Sequence, residues 1–173
     1  MTDQSPVEDA VAAVIRGWRE LAPDLDTGPM GVIGRINRCA ALLQQAGDAP
    51  LAREGLVRAE FDTLNTLRRL GGGVTPGRLA RETFASGAAV TKRVRALADR
   101  GLVERRTDTR DRRVQHLSLT AAGRDLVDRL MPAQLSYEAA LLAGLPAERR
   151  ADLADGLAEL LAALEGRLGG LLG

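Results

Sequence analysis

At 173 residues the chain has room for one domain with a real core. Hydrophobic residues make up 45% and charged ones 27%, a balance that excludes a disordered chain, and 2% aromatics amid abundant Ala and Leu favour helix over strand. A net charge of +1 excludes a uniformly basic protein and a single cysteine excludes an internal disulfide. No apolar run approaches membrane-spanning length, and the acidic, polar N-terminus is no signal peptide, so the expected setting is cytoplasmic, at the nucleoid, with no membrane partner.

Ser5-Pro6-Val7-Glu8 reads as a capping box with proline at the first helical position. The helix it opens carries Val7, Val11, Val14, Ile15, Trp18 and Leu21 on one side and ends before Pro23. A turn over residues 24–28 leads to a second helix, Pro29 to Ala46, with Met30, Ile33, Ile36, Ala40 and Leu43 in register and a stop at Gly47. Cys39 lies in mid-helix beside Ala40 and Ala41, where it is expected buried as a small hydrophobe. Phe61, Leu64 and Leu67 stripe a further helix. Gly71-Gly72-Gly73 is not followed by G-K-[ST], so it reads as a connecting loop and not a phosphate cradle.

The segment from Thr75 to Gly123 organises the rest. Thr75 is a good N-cap and Pro76 suits the first helical position, so a short helix with Leu79-Ala80 starts there. Phe84-Ala85 cannot extend it far before Ser86, a second N-cap, opens a longer helix with Val90, Val94 and Leu97 as its buried stripe. Gly101 stops that helix, Leu102-Val103 starts a strand, and Val114 to Leu119 is its partner. Between them lies an arginine-rich loop, Thr107 to Arg113. This pattern is a winged helix-turn-helix, and the fold class is mainly α with a small β-hairpin wing.

Thr120 to Leu142 reads as helix, kinked at Pro132 where one backbone donor is missing. After Gly144-Leu145-Pro146 a last helix aligns Leu153, Leu157, Leu160, Leu161, Leu164 and Leu168. That stripe, with two apolar-faced N-terminal helices, exceeds what one small winged helix can bury. A two-fold homodimer with interlocking terminal helices is the economical expectation. Residues 1–50 would then form the N-terminal dimerisation and ligand-cleft region, 51–120 the DNA-binding region and 121–173 the C-terminal dimerisation helices, together one compact domain.

At about 100° per residue, Ala88, Thr91, Lys92 and Arg95 fall opposite the buried stripe of the longer helix. Small side chains let a helix approach a major groove closely, and hydroxyl and basic ones reach base edges and phosphates. Arginines at a hairpin tip suit the minor groove, where phosphate potential concentrates, which adds Arg110, Arg112 and Arg113. Ser86 adds a phosphate contact. From Lys92 to Arg113 nine Lys/Arg face four acids, so one region is basic while the remainder is slightly acidic. A dimer aims two such helices at successive major grooves, which makes the partner double-stranded DNA with an inverted repeat.

The stretches EFDTLNTLRRLG, TPGRLA, SGAAVTKRVRALADRGLVERRTDTRDRR and LSLTAAG together resemble the MarR family of dimeric transcription regulators over roughly residues 60 to 123. The D-x-R-D-R-R wing (Asp108, Arg110, Asp111, Arg112, Arg113) followed by L-T-x-x-G (Leu119, Thr120, Gly123) carries the resemblance most specifically, and it implies that Asp111 braces a neighbouring arginine. Trp18, Asp62, Arg93 and Arg105 also resemble the positions of the family's urate-responsive branch, which has an added N-terminal helix. The resemblance implies a ligand site of these four residues. Urate is a planar anion at neutral pH, so Arg105 could take its charge and Trp18 its ring. An anion near Asp62 is repelled, and Arg93, beside the buried stripe of the recognition helix, would pass the event to DNA. Singly, each has a plainer reading: a dimer-core aromatic, a solvated acid and two surface arginines.

The expected activity is therefore a repressor that releases DNA on binding a small anion such as urate or a related purine. Phenolic or aromatic acids, an oxidant acting at Cys39, and an effector-independent architectural protein are the alternatives. One histidine (His116), one cysteine and no paired catalytic groups point to neither enzyme, cofactor nor metal site.

Overall fold

The structure, a computed structural model, describes residues 8–46 and 48–168. Its elements follow in the order α1 (Ala10–Leu21), α2 (Gly28–Ala46), α3 (Ala49–Arg53), α4 (Arg58–Leu70), α5 (Pro76–Glu82), α6 (Gly87–Asp99), β1 (Val103–Thr107), β2 (Gln115–Leu119), α7 (Ala121–Leu141) and α8 (Ala147–Leu168). Among the described residues the chain is mainly helical with one β-hairpin, as expected. Two units are compact by themselves, the first ending at Asp48 and the second beginning at Ala49.

In the first unit α1 packs on α2. One carboxylate oxygen of Asp9 accepts from the Ala12 amide at 2.8 Å and the other from Arg35 Nε at 2.7 Å, so one side chain caps α1 and ties it to α2. The Arg35 hydrogen bond holds the Asp9 carboxyl below its ordinary pKa. The helix thus begins at Ala10 with Asp9 as its cap; Ser5, Pro6 and Val7 of the expected capping box lie outside the described residues, as does the predicted stop at Gly47. Gly34 allows close approach, since a Cβ there would stand 3.0 Å from Val11 Cγ1.

No side chain of α1 or α2 is buried, and Val14, Trp18, Leu21, Val32, Ile33 and Leu43 are exposed. Cys39, expected buried, is exposed. It sits about 140° around the helix from Gly34, the position that meets α1, so the packed face does not reach it.

The second unit holds the core, built around Phe61, Leu64 and Leu67 of α4, Leu79 of α5, the Val90-Val94-Leu97 stripe of α6 and Leu126 and Leu130 of α7. Helix α3, which is too short to show a periodicity, buries Leu51 completely and packs on α7. The hairpin is antiparallel, pairing Val103 with Leu119, Arg105 with Leu117 and Thr107 with Gln115. Val74 adds an isolated bridge to Leu117, fastening the glycine loop to the wing.

Leu102 and Val114 fall just outside the strands expected to include them. The Leu102 amide donates to Leu97 O at 3.0 Å in the helix-ending turn, and the Val114 amide donates to Asp111 O at 2.9 Å inside the loop. The hydroxyl of Thr120 accepts from the Gly123 amide at 3.0 Å, capping α7, and donates to Gly101 O at 2.7 Å. Helix α7 continues through Pro132. Along α8, Leu153, Leu157, Leu161 and Leu164 are 40–55% exposed; the side chain of Leu168 lies outside the described residues. No helix among the described residues is long and apolar enough to cross a membrane.

Candidate nucleic-acid interface

Helices α5 and α6 start where hydroxyl caps dictate. Thr75 Oγ1 accepts from the Arg78 amide and Ser86 Oγ from the Ala89 amide, both at 3.3 Å, contacts of a kind that each stabilise a helix by about 1 kcal/mol. Burial of Val90, Val94 and Leu97 then sets the rotation of α6, and Ala88, Thr91, Lys92 and Arg95 are exposed on its other side. The Thr91 hydroxyl donates to Gly87 O at 2.8 Å, so towards solvent it offers only acceptor capacity. Ser86 accepts at its cap, which leaves its hydroxyl proton available to donate. Arg93 is half-buried, in keeping with its place beside the stripe.

The wing is folded by its aspartates. Asp108 Oδ1 accepts from the amides of Arg110 at 2.7 Å and Asp111 at 3.0 Å, and Asp111 Oδ1 accepts from the Arg113 amide at 2.9 Å. With the carboxylates turned onto backbone, Arg110, Arg112 and Arg113 are exposed, Arg113 with 94% of its side chain accessible. Asp111 also lies 3.7 Å from Arg113 Nε, the bracing role expected of it.

His116 on β2 completes the frame. Its Nε2 lies 2.9 Å from Asp108 Oδ2 and its Nδ1 3.1 Å from Gly73 O. The hydrogen bond to Asp108 raises the His116 pKa first, with the Gly73 carbonyl second. The same contact with His116, reinforced by the Asp111 and Arg110 amides, lowers Asp108 to about 2. Asp108 and His116 do not stand out in the sequence as a pair. An Asp at the first position of a D-x-R-D turn is a signal for a capped loop, but its histidine partner is visible only once the strands are in register.

Of the four residues assigned to an effector, Trp18 lies on α1 in the first unit, 41% exposed. The other three belong to the second unit: Asp62 exposed on α4, Arg93 on α6 and Arg105 exposed on β1. Helix α6 packs on both α4 and β1. Strand β1 continues two residues beyond Arg105, so this arginine is mid-strand. A cleft of about 100 Å³ lies elsewhere, lined by Leu67, Arg68, Gly71, Gly72, Ser118, Leu119 and Arg124.

Residues 54–114 match the model of the MarR family. Over 145 residues the chain is 30% identical to the HTH-type transcriptional regulator PecS of Dickeya dadantii, spanning 83% of this chain and 87% of that protein. Solved structures that share its fold include the following three. An S. aureus MepR–DNA complex superposes with a TM-score of 0.66 at 23% identity, covering 75% of this chain and 94% of that one. A cysteine-to-serine mutant of E. coli MarR complexed with operator DNA gives 0.66 at 21% identity, covering 83% and 97%. A probable transcriptional regulator from Pseudomonas aeruginosa gives 0.64 at 30% identity, covering 75% and 96%. The chain belongs to the MarR family of DNA-binding transcription regulators and is not an enzyme.

Proposed function

We propose that the protein is a homodimeric repressor that holds an inverted-repeat operator in the cytoplasm and lets it go when a small anion, urate or a related purine, binds. The observation that carries the DNA half is the division of α6. Its apolar stripe is buried, and it exposes Ala88, Thr91, Lys92 and Arg95 ahead of a wing whose aspartates free Arg110, Arg112 and Arg113 for the minor groove. Ser86 supplies a phosphate contact at the start of the helix.

Dimerisation is supported by the uncovered leucines of α8 and by α1 and α2, which bury no side chain of their own. The effector half rests on Trp18, Asp62, Arg93 and Arg105 matching the urate-responsive branch. Arg93 is the coupling element, since it shares α6 with the groove-facing residues, and α6 packs on the elements that carry Asp62 and Arg105.

The test is fluorescence anisotropy on the DNA upstream of the protein's own gene, at fixed salt because phosphate contacts make affinity steeply salt-dependent. Tight binding that is lost on adding urate supports the proposal. Tight binding indifferent to urate keeps the DNA regulator, sinks the purine assignment, and redirects the search to aromatic acids and to oxidation at the exposed Cys39.

A further inference from the structure

Phe84 forms the turn between α5 and α6 with φ +49°, the one non-glycine residue among those described in the left-handed region. A β-branched or aromatic side chain is disfavoured there, and glycine is the ordinary solution. The turn itself explains the backbone. The Phe84 amide donates to Arg81 O, the Ala85 amide reaches back to Ala80 O at 3.0 Å, and Ala85 tucks against the core, so the chain must reverse at this position. None of this explains the phenyl ring. It is 86% exposed, more than any other large hydrophobic residue among those described, in a protein with only two phenylalanines, and the other, Phe61, is 2% exposed. A strained backbone carrying an unburied ring is an outlier from which a function can be argued.

Its position narrows the function. Phe84 stands two residues before Ser86, the N-cap of the recognition helix, and three after Arg81, whose side chain is exposed. It lies outside the helix, so it is not among the groove-facing positions that read base edges. Beside the end of a helix entering the major groove, the surface at hand is the groove wall, a row of deoxyribose rings between phosphates. Their carbon faces are the apolar part of the DNA backbone.

We infer that Phe84 packs on deoxyribose of the operator backbone beside the recognition helix, a sequence-independent anchor that sets the depth and angle at which α6 enters the groove. This rests on α6 being the groove-reading helix. The ring brings no charge, so it adds affinity without releasing counterions.

Operator affinity and its salt dependence are to be measured for Phe84→Ala, Phe84→Gly and Lys92→Ala, with thermal melting of each. Loss of the ring should lower affinity about tenfold for each half-site, the worth of burying one phenyl group, and so about a hundredfold for the dimer, with the same factor on operator and on unrelated DNA and with an unchanged salt slope. Phe84→Gly should melt about 2 °C higher than the parent because the left-handed turn is no longer strained. Unchanged affinity in both Phe84 variants overturns the contact, as does a lower melting point for Phe84→Gly or a change in oligomeric state, each of which makes the ring a protein–protein packing group. If Lys92→Ala binds like the parent, the groove-reading assignment of α6 fails instead, and the two failures stay distinguishable.

Discussion

His116 Nε2 lies 2.9 Å from Asp108 Oδ2 while its Nδ1 lies 3.1 Å from Gly73 O. Both partners are acceptors only, so both contacts are hydrogen bonds only when the imidazole carries two protons. The neutral ring must leave one acceptor facing a lone pair. Across the hairpin, Arg106 pairs in register with His116, and its guanidinium lies 3.3 Å from Glu104, so Asp108 is the carboxylate that meets the ring.

The wing therefore has a pH window. The His116 pKa is raised above its ordinary 6.5, so its contribution is complete below that value and fades as pH rises through the folded value. Asp108 falls from 3.8 to about 2, so its contribution is complete above 3.8 and is lost as pH drops towards 2. Operator affinity should weaken as pH is raised from about 6 to 8.5, and His116→Gln should flatten that profile. A parent profile as flat as the variant's would remove the wing histidine from DNA binding.

Gly123 has no room for a side chain: a Cβ there would overlap the carbonyl oxygen of Leu102, which also accepts from the Thr120 amide at 3.1 Å. Gly123→Ala should destabilise the protein by about 3 kcal/mol, lowering its melting point by about 8 °C. Thr120→Ala, which removes a cap and the bond to Gly101 O, should cost about 1 kcal/mol more than an exposed substitution on the same helix. Equal melting points for Gly123→Ala and the parent would show that α7 does not start pressed against the wing's root.

The leucines of α8 supply a test of assembly. The double change Leu157→Asp, Leu161→Asp should convert a species of twice the chain mass, read by light scattering, into monomer. Operator affinity should fall about a hundredfold with it, as two linked half-site contacts become one. A parent protein that runs as a monomer while binding an inverted repeat tightly would contradict the proposed assembly.

At the wing, Arg112→Ala should weaken binding to all sequences alike and reduce the slope of log affinity against log salt by about one per protomer, about two for the dimer. A sequence-dependent loss would instead make Arg112 a base reader.

Much of this is legible in the sequence where one residue type decides local structure. Thr75 and Ser86 announce helix starts because hydroxyl caps are local, and Pro76 agrees with them. The Val90-Val94-Leu97 stripe orients α6 by the same short-range logic. What escapes depends on contacts distant in the chain or on the absence of a pattern. The bond from His116 to Gly73 spans 43 residues, and α3 has too few residues for a period. The reversal at Phe84 lacks the glycine that flags such a turn. Cys39 misleads because its alanine neighbours suggest burial, whereas α2 has one packed side and Cys39 is on another.

The most direct test of the central claim is a urate titration of the preformed operator complex, with the parent and Arg105→Gln side by side at fixed pH and salt. If Arg105 takes the anion's charge, the parent should release DNA and the variant should need at least about tenfold more urate, with its affinity for DNA in the absence of ligand little changed. Identical release curves, or a parent complex that urate leaves intact, would contradict the account.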